Sequence, residues 1–201
     1  MRNTLLLFTL LLSTLSFSQN KFGVFTGINY SYFTDGFGGQ IGGEESFGLQ
    51  IGALYEIPLS QRVRFRPKII FSQQGDRTKT SSDKNGVVEL NYLDYKLNYI
   101  NIPLDFKFWD KIYLIAGPQL GILVSEKPEG IYVGPIQSNV DLGINLGTGF
   151  TINKIFVEFG VYQGLTSLLK YRYESTGSIV DVQNGLAKFT IGYTFDLPKK
   201  K

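Results

Sequence analysis

Two sets of ionisable residues recur within short segments that are otherwise apolar. The carboxylates are Glu56, Asp94, Asp105, Asp141, Glu158 and Asp196; the cations are Arg64, Arg66, Lys68, Lys96, Lys107 and Lys188. Two carboxylates held close together can divide into a general acid and a general base, and a serine beside a lysine can act as a nucleophile. Any such chemistry has to proceed here without the commonest base, because the 201 residues include no His. They include no Cys either. Thiolate zinc sites, His-ligated metals, cysteine nucleophiles, Ser-His-Asp triads and disulfide frameworks are therefore excluded together. The simplest role for the charges is mutual neutralisation, since an ion withdrawn from water must be compensated. The expectation is a structural ion-pair set of Glu56, Arg64, Arg66, Lys68, Asp94, Lys96, Asp105, Lys107, Asp141, Glu158 and Lys188. No catalytic residue, cofactor or metal is expected.

The remaining motifs are weak. The glycines between Gly36 and Gly43 are not followed by a Gly-Lys-Ser/Thr or by a helix, so they do not form a phosphate cradle. Asp76, Asp83 and Asn85 lack the spacing of a calcium loop. The net charge of +3 is too small to argue for nucleic acid, and Lys199 to Lys201 alone equal that excess.

The elements that carry the charges follow from alternation. In Phe47, Leu49, Ile51, Ala53, Tyr55 and Ile57 every second residue is apolar, while Ser46, Gly48, Gln50, Gly52 and Glu56 take the other face. Val140 to Ile152 repeats the pattern against Asp141, Gly143, Asn145, Gly147, Gly149 and Thr151. Successive strand side chains point to opposite faces, so each segment has one greasy and one small or polar face. The pattern predicts eight strands near 22–32, 46–57, 63–74, 92–108, 112–124, 138–152, 155–167 and 185–196. In the fourth, the apolar parity switches from odd (Leu93 to Tyr99) to even (Ile100 to Phe108), which predicts a β-bulge near Tyr99-Ile100. Pro67, Pro103 and Pro118 fall inside strands and mark weak points in the ladder.

The connections alternate in length. Those at 58–62, 109–111 and 153–154 are short, and those near 33–45, 75–91, 125–137 and 168–184 are long. Short turns at one end and long loops at the other suit an outer-membrane barrel, with turns periplasmic and loops outside. The polar face is rich in glycine and carries both charge signs, as a crowded lumen requires. Aromatics such as Tyr30, Tyr32, Tyr55, Tyr95, Phe108, Trp109, Phe150, Tyr193 and Phe195 gather toward the strand ends, where membrane interfaces would lie. Residues 1–18 combine Arg2, an apolar run from Leu5 to Leu12 and Ser16-Phe17-Ser18, the pattern of a secretory signal peptide. The expected organisation is thus a signal at 1–18 and one all-β domain at 19–201. That domain is an eight-stranded antiparallel up-and-down transmembrane β-barrel.

The strands also carry a resemblance. Tyr99-Ile100-Asn101-Ile102-Pro103-Leu104-Asp105-Phe106-Lys107, Tyr113 to Gly121, Asp141 to Phe150 and Thr190 to Phe195 resemble the PorT-type outer-membrane β-barrel family common in Bacteroidetes. The resemblance implies no catalytic motif and a role in membrane stability, adhesion, or assistance to secretion or gliding machinery. One departure is the tail: Phe195 is followed by Asp196-Leu197-Pro198 and three lysines rather than ending the chain. The expected partners are outer-membrane lipid and a protein reached through loops 75–91 and 168–184, with the barrel itself monomeric and no nucleic acid bound. The alternatives are a secreted or periplasmic lipocalin-like ligand-binding barrel and, less favoured without histidine, a membrane-embedded hydrolase of a Ser-Lys or carboxylate-only kind.

Overall fold

A strand with one apolar and one polar face is stable in a bilayer only if its polar face and its backbone are both satisfied by neighbours, which a closed barrel achieves. The structure, a computed structural model, describes residues 20–36, 44–77, 81–82, 88–89, 95–128, 136–172 and 179–197. The signal expected at 1–18, Asp94 and Lys199 to Lys201 lie outside the described residues, as does much of the stretch 75–91.

The strands are β1 (Lys21–Thr34), β2 (Glu44–Pro58), β3 (Val63–Arg77), β4 (Ser81–Ser82), β5 (Val88–Glu89), β6 (Tyr95–Phe108), β7 (Ile112–Pro128), β8 (Val140–Ile152), β9 (Ile155–Gly164), β10 (Leu169–Arg172) and β11 (Ile179–Asp196). Eight of them form the wall in the order β1, β2, β3, β6, β7, β8, β9, β11. The wall closes where β1 pairs antiparallel with β11, from Lys21 opposite Asp196 to Thr34 opposite Gln183. Each neighbouring pair is antiparallel and, apart from the closing pair, follows in chain order, so the barrel is up-and-down.

The short connections all lie at one end and are tied to the wall. Leu59 N–H and Ser60 N–H donate to Val63 O, Trp109 N–H to Arg62 O, and Thr151 N–H to Lys111 O. Asn153 takes φ 56°, a left-handed conformation that asparagine tolerates. Trp109 takes φ 71°, which a bulky side chain rarely adopts; the 2.7 Å bond to Arg62 O helps to hold it there.

Polarity runs inside-out relative to a soluble barrel. Outside lie exposed Leu49, Ile51, Ile69, Leu142, Leu146, Phe159 and Val161; inside lie buried Glu56, Arg66, Asp105 and Glu158. A lipocalin-like barrel has the opposite arrangement. Ring pairs cluster at the turn end, with Phe22 against Phe195, Phe65 against Phe106, and Tyr193 against Phe195. Tyr30 packs on Phe47 nearer the loop end.

Two expectations are corrected. The fourth predicted strand does not change phase. In β6, Leu97, Tyr99, Asn101, Pro103, Asp105 and Lys107 are all buried and share one parity. Apolar Leu97 and Tyr99 face inward because the lumen itself is apolar at that level. A register shift does occur beside Asn98 and Tyr99, but Asn98 pairs with Ser125 and Tyr99 with Leu123, so the extra residue is Val124 of β7. In the expected loop 168–184, Leu169–Arg172 forms the strand β10, which pairs with the upper end of β11 from Leu169 opposite Val182 to Arg172 opposite Ile179.

The prolines cost pairing without ending strands. The β2–β3 ladder jumps from Leu54 opposite Lys68 to Ile57 opposite Phe65, the β3–β6 ladder from Pro67 opposite Leu104 to Ile70 opposite Asn101, and the β6–β7 ladder from Pro103 opposite Gln119 to Phe106 opposite Ala116. Each interruption contains or borders Pro67, Pro103 or Pro118, as expected of residues lacking an N–H.

Candidate functional site

The inward-facing residues fill the barrel in layers. Nearest the turns, β2, β3, β6 and β9 bring three cations and three carboxylates together. Arg66 Nε stands 3.1 Å from Glu56 Oε1, and its Nη1 donates to Glu158 Oε1. Lys68 Nζ lies 3.0 Å from Asp105 Oδ2 and 3.1 Å from Glu158 Oε2. Lys107 Nζ reaches Glu56 Oε1 at 3.3 Å. The charges balance, and each carboxylate is reached by at least one cation. A buried ionic group needs that compensation and additional hydrogen bonds.

Aromatic rings complete the layer. Tyr113 Oη donates to Glu158 Oε1 at 2.8 Å. The Arg66 guanidinium carbon sits 4.6 Å from the Phe156 ring centroid, and Lys107 Nζ sits 4.1 Å from that of Tyr113. These rings exist in so narrow a barrel because glycines face them. A Cβ on Gly149 would come within 2.6 Å of Tyr113 Cζ, and one on Gly192 within 2.3 Å of Phe156 Cζ.

Above the ions is an amide layer. Lys188 Nζ donates to Asn145 Oδ1 at 2.6 Å, Asn145 Nδ2 to Gln119 Oε1 at 3.1 Å, and Gln50 Nε2 to Thr190 Oγ1 at 2.8 Å. Between the two layers a hollow of about 30 Å³ remains, bordered by Lys68, Asp105, Glu158 and Lys188. That is space for about one water molecule. Higher still, Asn184 Nδ2 donates to Asp141 Oδ2 at 2.9 Å. The loop end is closed by a buried apolar cluster of Phe33, Leu97, Tyr99, Ile136, Leu168, Leu169 and Val182. The chain between the strands is drawn into this plug by Gln137 N–H donating to Leu168 O and Leu168 N–H donating to Val182 O.

Of the residues expected as lumenal ion-pair candidates, Glu56, Arg66, Lys68, Asp105, Lys107 and Glu158 meet in one cluster. Asp141 and Lys188 face the lumen but at higher levels, bonded to amides. Arg64 lies at the turn-end mouth, where its Nε donates to Asp110 Oδ1 at 2.8 Å. Lys96 is exposed on the outer side of the wall, one residue from buried Leu97, so it is not lumenal. Its polar type pointed inward, but the inward phase of β6 belongs there to the apolar plug. Asp94 lies outside the described residues.

Reasoning from charge alone missed Tyr113, Phe156, Asn145 and Gln119. The available signal was parity: Tyr113 and Gln119 share the phase of Gly117 and Gly121, and Asn145 that of Gly143 and Gly147. Outside the wall, a shallow hollow of about 550 Å³ over β8, β9 and β11 is bordered by Ile28, Leu114, Phe159, Val161 and Phe189.

Comparisons with known proteins agree with this geometry. The model of a family described as outer membrane protein beta-barrel domain matches residues 17–170. Among solved structures, the chain is similar to Neisserial surface protein A, at 16% identity and TM-score 0.56 over 87% of this chain and 97% of that one. It is also similar to Ail, the attachment invasion locus protein of Yersinia pestis, solved with the heparin analogue sucrose octasulfate. That match has 14% identity and TM-score 0.50 over 89% of this chain and all of the other. No curated protein matches the chain.

Proposed function

The chain belongs to the outer membrane protein beta-barrel domain family, and from that premise we propose that it is a monomeric outer-membrane barrel with a plugged polar lumen. Its role in this reading is structural or interactive, neither catalytic nor conductive. The observation that carries it is the filling of the lumen. A charge-balanced layer of Arg66, Lys68, Lys107, Glu56, Asp105 and Glu158 lies beneath an amide layer and an apolar plug. Eight strands leave an interior just wide enough for side chains to fill, and from the ion layer to the loop-end cluster they fill it but for the one small hollow.

The exposed apolar wall takes bilayer lipid as its solvent. Short turns, the start of β1 and the end of β11 face the periplasm, and long connections face outward. Contact with a partner falls to the segments 75–91 and 168–184, because a rigid barrel varies its interactions through its loops. The β10–β11 ribbon supports this: Leu168, Leu169 and Val182 anchor it in the plug, while Lys170 and Ile179 stay exposed. The biological setting is that of the PorT-type barrels of Bacteroidetes, with an export signal at 1–18 removed on the way out. Within it the protein stabilises the membrane, supports adhesion, or assists a secretion or gliding apparatus.

The test is a deletion scored for protein secretion, gliding, surface attachment and envelope integrity, paired with planar-bilayer recordings of the purified barrel. A defect in any of the four processes with no steady conductance fits the reading. Stable single-channel currents, or a deletion that leaves all four processes intact, overturn it.

A further inference from the structure

The ion cluster is not the end of the charge pattern. Below it, at the turn end, a vestibule of about 350 Å³ opens inside the ring of strands. Its floor and walls include Lys21, Arg64, Arg66, Lys107 and Lys111 but only two carboxylates, Glu56 and Asp110. Glu56 is already shared by Arg66 and Lys107. Arg64 is matched by Asp110, while Lys21 and Lys154 share the single carboxylate of Asp196 at 4.0 and 3.8 Å. Lys111 has no ion-pair partner among the described residues. Beyond the residues it shares with the balanced cluster, the vestibule is lined by Lys21, Arg64 and Lys111 against the single carboxylate of Asp110.

A second observation points the same way. Arg66, whose side chain is fully buried, keeps its Nη2 without a hydrogen-bond partner, and so does Thr151 Oγ1. Both residues line the vestibule. Buried donors normally find acceptors. A guanidinium, a hydroxyl and converging ammonium groups suit a polyvalent oxyanion, to which charge-assisted bonds are short and strong.

We propose that the turn-end vestibule binds a soluble phosphate group, as inorganic phosphate or a small phosphate monoester. The site lies within the strand ring and is lined by inward-facing and turn residues, so its ligand comes from the aqueous phase and not from a lipid head group. Binding here would satisfy the unpartnered donors and cancel the local excess of positive charge. It is independent of whether the barrel serves adhesion, secretion or stability.

The experiment titrates inorganic phosphate into the full barrel, refolded in a non-ionic detergent, and reads ³¹P line broadening and calorimetric heat. Heat-dependent gel mobility confirms folding of each variant. Saturable binding is expected, weakened at least about tenfold in Lys111→Gln and in Thr151→Val, the order of loss for one charge-assisted contact. Lys170→Gln removes the same charge at the opposite end and should leave binding unchanged. Absence of saturable binding overturns the proposal. So does equal weakening by Lys111→Gln and Lys170→Gln, which would mean long-range attraction only, and so does acetate competing as well as phosphate.

Discussion

Arg66 of β3 and Glu158 of β9 meet inside the lumen from opposite sides of the eight-stranded ring, with 0% and 5% of their side chains exposed. The contact links segments 92 residues apart in sequence. Glu158 is also reached by Lys68 and Tyr113, so it is the point where the cluster is held together. Removing one member of such a set leaves an uncompensated buried charge.

Glu158→Gln is therefore expected to cost about 3–5 kcal/mol in a reversible bilayer folding assay. Arg66→Met is expected to cost a similar amount, because Glu56 and Glu158 each lose a cation. The double variant should cost clearly less than the two single losses combined, since each then removes the other's stranded partner. Additive losses would mean that the two residues do not act as a pair.

The facing of β3 makes a complementary prediction. Ile69 lies between Lys68 and Ile70, both buried, and is itself 57% exposed on the outer wall. Ile69→Arg should destabilise the barrel by about 2–4 kcal/mol if it lies near the bilayer midplane. In a detergent micelle, whose headgroups come closer, the loss should shrink. An unchanged unfolding midpoint in bilayers would contradict the outward facing of this residue.

These two neighbours show what alternation could and could not reveal. Strand number, closure and most facings were legible because lipid and lumen impose opposite chemistry on odd and even positions. The rule held for Arg66, Lys68, Asp105 and Glu158, whose charges could only face inward. It failed at Leu97 and Lys96, because the lumen turns apolar near the loops and polarity no longer distinguishes inside from outside. The convergence of Tyr113 on Glu158 was illegible for another reason. Which residues meet across a barrel depends on register and strand tilt, and neither leaves a mark in one strand's pattern.

Glycine supplies the third prediction, since it sets how close the strands can bring their aromatic rings. A Cβ on Gly149 would lie 2.6 Å from Tyr113 Cζ and 2.7 Å from its Oη, with the Val157 carbonyl oxygen at 2.6 Å on another side. Gly149→Ala should thus push Tyr113 away from Glu158 and cost about 1–3 kcal/mol, the usual penalty of overpacking. Adding Tyr113→Leu should recover part of that loss by freeing the space. If the second substitution instead worsens stability by its full single-variant cost, the two positions are not in conflict.

The turn end offers a pH test outside the bilayer. Partial burial favours the neutral form of Asp110, but the hydrogen bond and charge of Arg64 outweigh it and hold this carboxyl below its ordinary range. A carboxyl whose folded value is depressed adds stability above its unfolded value of roughly 4, and that stability fades as pH falls through the folded value. With the Asp110 side chain 57% exposed, solvent screens the pair and the effect on global stability is small. It should be plain in a site-resolved titration: the Asp110 side-chain ¹³C shift in a micelle-bound sample should move at a lower pH than in an unfolded chain. Arg64→Gln should return the midpoint to the ordinary range, and a midpoint that stays put would assign the depression to something other than Arg64.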